Sequence, residues 1–488
     1  MTEQVDYDVL IVGAGISGID AAYRIQTMSP DRSYAVLEGR ASMGGTWDLF
    51  RYPGVRSDSD MYTLGFPFEP WQSNVSIAGG PSILSHIKAT AAKHGIADRI
   101  RYGHNVTHAS WASASATWTV DIDTPGGRTQ LTSRWIHLAS GYYDYENPHI
   151  PEFEGRDTFT GTFVHPQFWP ADLEVAGKQV VVIGSGATAV TLVPALAAQG
   201  ARVTMLQRSP SYVLALPGSD VIAAQLRKRL PAQRAHNLIR WKNIVTALGL
   251  YTLCRRAPRL VGRLLSRGAE RATREAQMQP GTFRPRYDPW DERLCIVPDG
   301  DLFKALRHGT ATIVTNTIDS LVPEGVRTSD GTILPADIIV SATGLTVRVG
   351  GGMTIDLDAT PVDVPSKYLY RGLMLEEVPN LTFAIGYTNA SWTLRADLSA
   401  QYVCRLLNHM RDTGAASAYP RPSRHLTPNP LLGLRSGYVL RAEAVLPKSG
   451  GVDPWQVHQS YLRDRKDLGS SDVTEDMVFV RVDALATA

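Results

Sequence analysis

The sequence predicts an α/β protein with two parallel-sheet domains, and three observations carry that expectation. A short apolar run near the N-terminus ends in a glycine-rich turn, and a second copy of that unit begins near residue 179. Each copy is followed later in the chain by another apolar run that ends in small residues.

In the first copy, Asp8 to Val12 leads into Gly13-Ala14-Gly15-Ile16-Ser17-Gly18, and Ile19 to Ile25 continues as a good helix. A second apolar run, Tyr34 to Leu37, ends on Glu38, 20 residues beyond Gly18. Gly13 permits the tight turn, Gly15 lets the backbone approach a pyrophosphate, and Gly18 lets the helix pack on its strand. The helix N-terminus offers free N–H groups to phosphates, and Glu38 can accept a hydrogen bond from a ribose hydroxyl. In the second copy, Gln179 to Ile183 leads into Gly184-Ser185-Gly186-Ala187-Thr188-Ala189, with alanine at the third small position. Its second strand, Arg202 to Leu206, ends on Gln207-Arg208-Ser209. An arginine there suits the 2′-phosphate of NADP, which a carboxylate would repel.

One acid-terminated and one arginine-terminated turn imply two dinucleotides, FAD first and NADPH second. The later strands are Arg134 to Leu138, ending in Ala139-Ser140-Gly141, and Asp337 to Val340, ending in Ser341-Ala342-Thr343-Gly344. The fold class is therefore two Rossmann-like domains. The FAD-binding domain is expected in two pieces, residues 1–150 and 340–488, and the NADPH-binding domain at 151–339 carries a helical insertion at about 220–280.

Composition bounds the function. The net charge of +2, from 49 Lys+Arg against 47 Asp+Glu, argues against a general nucleic-acid binder. Three cysteines cannot form a disulfide framework, which favours a reducing compartment and a cytoplasmic location. The polar Met1 to Asp8 leads straight into the first strand with no room for a signal peptide, and no run is long enough to span a membrane. His104, His108, His137 and His149 lack ligand-like spacing with the cysteines, so no metal is expected and these histidines read as structural or exposed.

Two longer motifs reach a family. Phe159 to Pro170 matches FxGxxxHxxxWP, and Gly45 to Asp58 matches GxWxxxxYPGxxxD. On these the chain resembles the Baeyer–Villiger monooxygenases, a class B flavoprotein monooxygenase family. Gly44 to Pro67, Asp288 to Asp301 and Gly386 to Asp397 resemble its mycobacterial ethionamide-activating branch, and this closer resemblance runs from about residue 5 to 465. The resemblance implies oxygen insertion from O2 into ketones through a C4a-peroxyflavin, giving esters or lactones, with oxidation of thioethers or thioamides at sulfur. It implies catalytic roles for Arg293, which would stabilise the peroxide anion, and for Asp58 as its partner. Gly45, Thr46, Trp47, Asp58, Val106 and Ser17 look like FAD contacts. Gly184, Ser185, Gly186, Ala187, Thr188, Ala189 and Val190, with Arg208 and Ser209, look like NADP contacts. His165 and Trp169 belong to the family's cofactor-domain linker, where they assist domain rotation; a packed pair at a domain seam is the other open reading.

Two departures matter. Many family members carry a lysine immediately before the arginine, where it helps bind the 2′-phosphate; Glu292 stands there, leaving NADPH preference to Arg208. The segment Thr388 to Leu394 differs from cyclohexanone-type enzymes, so their substrate preference does not transfer. Trp290, Tyr387 and Trp392 are expected near the substrate cavity by their place in the resemblance.

Competing readings remain defined. An N- or S-oxygenating flavin monooxygenase would lack ester formation. A disulfide reductase would need two nearby cysteines, whereas Cys254, Cys295 and Cys404 are separated by 41 and 109 residues. A non-catalytic flavin redox sensor or a membrane-docking protein stands in another class. Residues 220–275 hold 13 Lys+Arg against 3 Asp+Glu, interleaved with apolar residues. Such a basic amphipathic stretch can cover the active site, self-associate, or bind a membrane surface peripherally.

Overall fold

The structure is a computed structural model that describes residues 4–276 and 278–481. The outer ends of the two expected FAD pieces, 1–3 and 482–488, and Gln277 in the expected insertion lie outside the described residues.

Tyr7–Val12 forms β1, Ile16–Met28 forms α1 and Tyr34–Glu38 forms β2. Val9, Leu10 and Ile11 have no exposed surface, because β1 has strands on both edges and helices or loops on both faces. A strand covered on both faces reads as a continuous apolar run, which is what made it recognisable. Ile100–Tyr102 (β3) extends the sheet beyond β2, and Asn105–Ala112 (β4), Thr117–Thr124 (β5) and Gly127–Leu138 (β6) add an antiparallel meander on the other side. The last residues of β6 run parallel to β1.

The chain then crosses to a second sheet. It is made of Thr162–Val164 (β7), Gln179–Ile183 (β8), Arg202–Gln207 (β9), Ala311–Thr315 (β10) and Ile338–Ser341 (β11), with Ala187–Ala198 as α2 after β8. All its neighbours are parallel, in the order β10-β9-β8-β11-β7. The expected division at 339/340 falls inside β11, and the chain leaves this sheet only after Ser341. It returns to the first sheet through Thr354–Leu357 (β12), parallel to β4, and Leu381–Phe383 (β13), parallel to β6. Trp392–Thr413 (α6) then packs on α1, joined to it by an Arg24–Asp397 ion pair at 2.6 Å.

Between β9 and β10 the insertion forms three helices, α3 (Val221–Arg229), α4 (Ala232–Arg256) and α5 (Pro258–Ala272). The helices stop at Ala272, and the described residues from there to 280 are turns and irregular backbone. The insertion leaves the second domain in sequence but does not belong to it alone. Ala223, Ala235 and Ile239 are buried in the core of the first domain, while Ala269 of α5 joins the second. The buried guanidinium of Arg240 donates to the carbonyls of Tyr62, Thr63 and Gly65 at 2.8, 3.1 and 3.0 Å. It thereby caps the C-terminal carbonyls of the short helix Met61–Leu64, where a cation is favoured.

Candidate dinucleotide and oxygen-chemistry site

The two glycine-rich turns are built alike. Gly13 has φ +105° and Gly184 φ +129°, and a Cβ on either would stand 2.7 or 2.4 Å from the carbonyl oxygen of Ala139 or Ala342 on the neighbouring strand end. A Cβ on Gly18 would meet the Gly13 carbonyl oxygen at 1.9 Å, so α1 can pack on its strand only with glycine there. The second copy tolerates the buried Ala189 at that place. Both helices begin at a glycine, Gly15 or Gly186, with no side-chain cap and no acidic residue in the first turn. Their N–H groups are left for an anion, and a Cβ on Gly186 would meet nothing within 4 Å. Both features fit the two phosphate-bearing cofactors that the turns predict.

A cleft of about 660 Å³ runs from the first turn to the second domain. Of the expected residues, Gly13, Gly15, Ser17, Glu38, Gly45, Thr46, Trp47, Asp58, Val106, His165, Ala187, Thr188 and Arg293 line it. Gly18, Gly184, Ser185, Gly186, Ala189, Val190, Arg208, Ser209 and Trp169 do not. The Glu38 carboxylate accepts from the backbone N–H of Ala14 at 2.8 Å and of Arg40 at 3.0 Å. Burial pushes this carboxyl up from its ordinary value while those N–H groups hold it down. Gly45, at φ +55°, comes so near Gly15 that a Cβ would lie 3.1 Å from the Gly15 Cα.

The Tyr52–Asp58 loop clamps the two domains. Gly54 sits against α2, where a Cβ would be 2.8 Å from Ala195 Cβ. Tyr52 packs on the second core beside Thr188, and Arg56 pairs with Asp301. At its end Asp58 holds Arg293 at two points, Oδ2 to Nε at 2.6 Å and Oδ1 to Nη2 at 3.0 Å. The two side chains are 31% and 29% exposed, both toward the cleft they line. Burial works against the Arg293 charge, but Asp58 and the phenols of Tyr438, Tyr142 and Tyr143 raise its pKa above the ordinary value. It stays cationic at every working pH.

Those phenols were not foreseen in the sequence. Tyr142 and Tyr143 hydroxyls lie 3.1 Å apart, and the phenol of Tyr438 lies beside Tyr142. Burial raises all three above the ordinary tyrosine value, so each is a neutral donor. Tyr142 also stacks on Trp392, with ring centroids 5.1 Å apart. A run of aromatics after the first small-residue turn, Tyr142-Tyr143-Asp144-Tyr145, was the one available signal.

Tyr387 and Trp392 line the cleft as expected, whereas Trp290 does not and packs edge-on against Tyr251 of α4. His104, read as structural or exposed, also borders the cleft. His165 accepts from the Gln167 N–H through Nδ1 at 3.2 Å and faces the Gly344 carbonyl through Nε2 at 3.3 Å. Burial lowers its pKa, so it is the neutral tautomer with the proton on Nε2. Gln167 in turn donates to the Asp144 carbonyl at 3.0 Å. The motif thus stitches together the two strands of chain that cross between domains, and Trp169 packs on the second core.

On the second domain, Ser185 bonds to the Ser209 carbonyl at 3.1 Å and the Ser211 hydroxyl at 2.8 Å. Arg208 is exposed and makes no hydrogen bond or ion pair among the described residues. Burial raises the pKa of Glu292, and the Arg208 charge works to lower it, so the acid that replaces the family's lysine sits within the field of Arg208. Cys254, Cys295 and Cys404 are buried thiols, and Cys295 and Cys404 lie in different cores.

Comparison with known proteins agrees with this geometry. Residues 7–234 match the pyridine nucleotide-disulphide oxidoreductase family model. The chain is 49% identical to the FAD-containing monooxygenase EthA of Mycobacterium tuberculosis over 95% of each chain. It is 44% identical to the probable FAD-binding monooxygenase AlmA of Acinetobacter baylyi, over 94% of this chain and 93% of that one. In fold it resembles an oxidised steroid monooxygenase bound to NADP, with a TM-score of 0.77 at 21% identity, covering 97% of this chain and 99% of the other. The redox-active disulfide in the name of the matched family model has no counterpart among the described residues, since all three cysteines are free. With near-half identity over almost its whole length, the chain belongs to the FAD-containing monooxygenases of the EthA type.

Proposed function

We propose that this protein is an FAD- and NADPH-dependent Baeyer–Villiger monooxygenase. It inserts one oxygen atom of O2 into ketones to give esters or lactones, and oxidises thioethers or thioamides at sulfur. The observation that supports this most is the two-point Asp58–Arg293 pair, set in the cleft that joins the first turn to the start of α2. In this reading residues 1–150 and 340–488 bind FAD and 151–339 bind NADPH. FAD rests on the α1 N-terminus, Glu38, Gly45, Thr46, Trp47 and Val106, and NADP on the α2 N-terminus with Arg208 and Ser209.

Bound FAD, reduced by NADPH, supplies the two electrons that split O2 into the inserted atom and water. Overall, ketone, O2, NADPH and a proton become ester, NADP and water. The chain supplies the surroundings. Arg293 places a fixed cation where negative charge develops on oxygen. Asp58 holds the guanidinium by two contacts, which fixes its plane. Tyr142, Tyr143 and Tyr438 offer neutral O–H donors beside that cation. Trp392 and Tyr142 close the apolar side. The partners are a small ketone or sulfide and O2, in the cytoplasm, with peripheral membrane contact or self-association through residues 220–275.

The test is an NADPH-dependent panel of ketones and thioethers with product masses, run on the wild type and on Arg293→Ala. Esters or lactones from the wild type, lost in the variant, are expected. Sulfoxides without any ester would replace this reading by an N- or S-oxygenating one, and ester formation unchanged in Arg293→Ala would remove the role of Arg293.

A further inference from the structure

The insertion carries a surface that the oxygen chemistry does not use. From Val221 to Ala269 there are eleven basic residues and no acidic one. Four of the eleven are engaged inside the protein. Arg227 bonds to the Ser73 carbonyl, Arg240 is buried, Lys242 pairs with Asp220, and Arg255 pairs with Asp291. The other seven, Lys228, Arg229, Arg234, Arg256, Arg259, Arg263 and Arg267, are exposed and have no ion pair among the described residues.

The same three helices hold seven of the fifteen large apolar residues that are exposed among the described residues. Each is more than half exposed. Their spacing puts them on helix faces with the free cations. Leu238, Val245 and Leu253 of α4 repeat at intervals of seven and eight, in line with Arg234 and Arg256. Leu260 and Leu264 of α5 are one turn apart, with Arg263 and Arg267 beside them. The opposite faces, with Ala235, Ile239 and Ile244 on α4 and Val261 and Ala269 on α5, are buried in the protein. Ile244 packs on Tyr387 and Leu394, and Tyr387 lines the cleft. The buried face of α4 thus touches a residue of the cleft wall.

We propose that the α3–α5 face docks on an anionic lipid surface. Charge complementarity selects this occupant. A second copy would bring seven unpaired cations against seven others, with no acid on the face to meet them. A nucleic acid would engage the cations but leave the exposed Leu, Ile and Val side chains unexplained, since bases are held by aromatic stacking. A lipid bilayer meets both parts, its phosphates taking the arginines and its headgroup–acyl boundary taking the aliphatic side chains. No helix among the described residues is long and apolar enough to cross a membrane, so the contact is peripheral.

The test is co-sedimentation of the full-length holoprotein with vesicles of phosphatidylcholine alone and of phosphatidylcholine mixed with phosphatidylglycerol. Binding to the mixed vesicles, weaker by at least about tenfold on phosphatidylcholine and released by salt, is expected. The variant R256Q/R259Q/R263Q/R267Q loses roughly fivefold in affinity per cation removed. The variant L238S/V245S/L253S/L260S keeps a weak, salt-sensitive attraction but loses firm binding. All eight positions are exposed, and unchanged circular dichroism and bound flavin confirm that both variants fold. Wild type that stays in the supernatant with either vesicle overturns the proposal, as does binding that neither variant weakens. A dimer in sedimentation velocity that both variants dissolve would give the face to a second copy and overturn it too.

Discussion

The indole Nε1 of Trp392 donates to the hydroxyl of Ser17 at 2.8 Å, joining the first residue of α6 to the first turn of α1. Indole has only a donor, so Ser17 must accept, and its own proton stays free to be given to an anion in the cleft. Trp392→Phe keeps the stack on Tyr142 and removes that bond. Loss of one hydrogen bond worth about 1 kcal/mol should weaken FAD binding roughly fivefold. Fluorescence titration of the apoprotein with FAD measures it, and an unchanged Kd would refute the link.

Arg293→Ala removes the one fixed cation from the Asp58 pair and should lower the rate of ester formation by on the order of 10²–10³. Arg293→Lys should restore little of it, because an ammonium cannot reproduce the two-point contact with Asp58. Asp58→Asn keeps the shape and loses the charge, and is expected between wild type and Arg293→Ala. Stopped-flow product formation, compared with hydrogen peroxide release, separates lost insertion from lost flavin reduction.

Coenzyme selectivity should depend on the opposed pair Arg208 and Glu292. Arg208→Ala is expected to raise KM for NADPH by about tenfold while leaving KM for NADH nearly unchanged, since only NADPH offers a 2′-phosphate. Glu292→Gln removes an acid from the neighbourhood and should shift the preference a few-fold toward NADPH. Initial rates with both coenzymes decide it; an NADPH/NADH ratio indifferent to both changes would place the 2′-phosphate elsewhere.

His137 is 1% exposed, with Nδ1 3.0 Å from the Thr382 hydroxyl and Nε2 without a partner among the described residues. Burial lowers its pKa to about 4. The folded protein therefore cannot take up the proton that the unfolded chain binds from about pH 6.5 downward. Its contribution is present above pH 6.5 and is lost as pH falls to about 4, a change of about 3 kcal/mol. Urea melts at steps across that window should show stability falling with acid, more shallowly in His137→Asn.

The two glycine-rich turns should respond oppositely to alanine. Gly18→Ala forces a Cβ to within 1.9 Å of a carbonyl and should unseat α1, giving little folded holoprotein. Gly186→Ala meets no atom within 4 Å and should fold normally, yet bind NADP more weakly because the methyl fills the phosphate's space. Thermal melts and NADP titration test both; normal folding of Gly18→Ala would refute the close packing.

Much of this site was legible in the sequence where function places a local demand on the backbone. Gly13, Gly18 and Gly184 are dictated by carbonyl contacts a few residues away or at a neighbouring strand end, so the demand leaves a short pattern. Gly54 belongs to a motif for the same reason, its neighbour being α2 of the other domain. The tyrosines around Arg293 left no such pattern. Tyr142 and Tyr143 come from the first crossing between domains and Tyr438 from the late C-terminal region, and no rule of spacing brings them together. Trp290 was misplaced because a place in the family resemblance does not fix the direction of a side chain, and a positive φ of 73° goes with a side chain packed against α4.

The sequence by itself determined two Rossmann-like units and the order of their turns, which follow from local sterics and from charge at a fixed distance along the chain. The arginine–aspartate pair was implied by the family resemblance. Only the tertiary structure decided that Asp58 and Arg293, 235 residues apart, meet in one cleft, and that the insertion seats one side on both cores while turning a basic apolar face outward. Helical periodicity shows that a helix has two faces, but which face is buried depends on what packs against it.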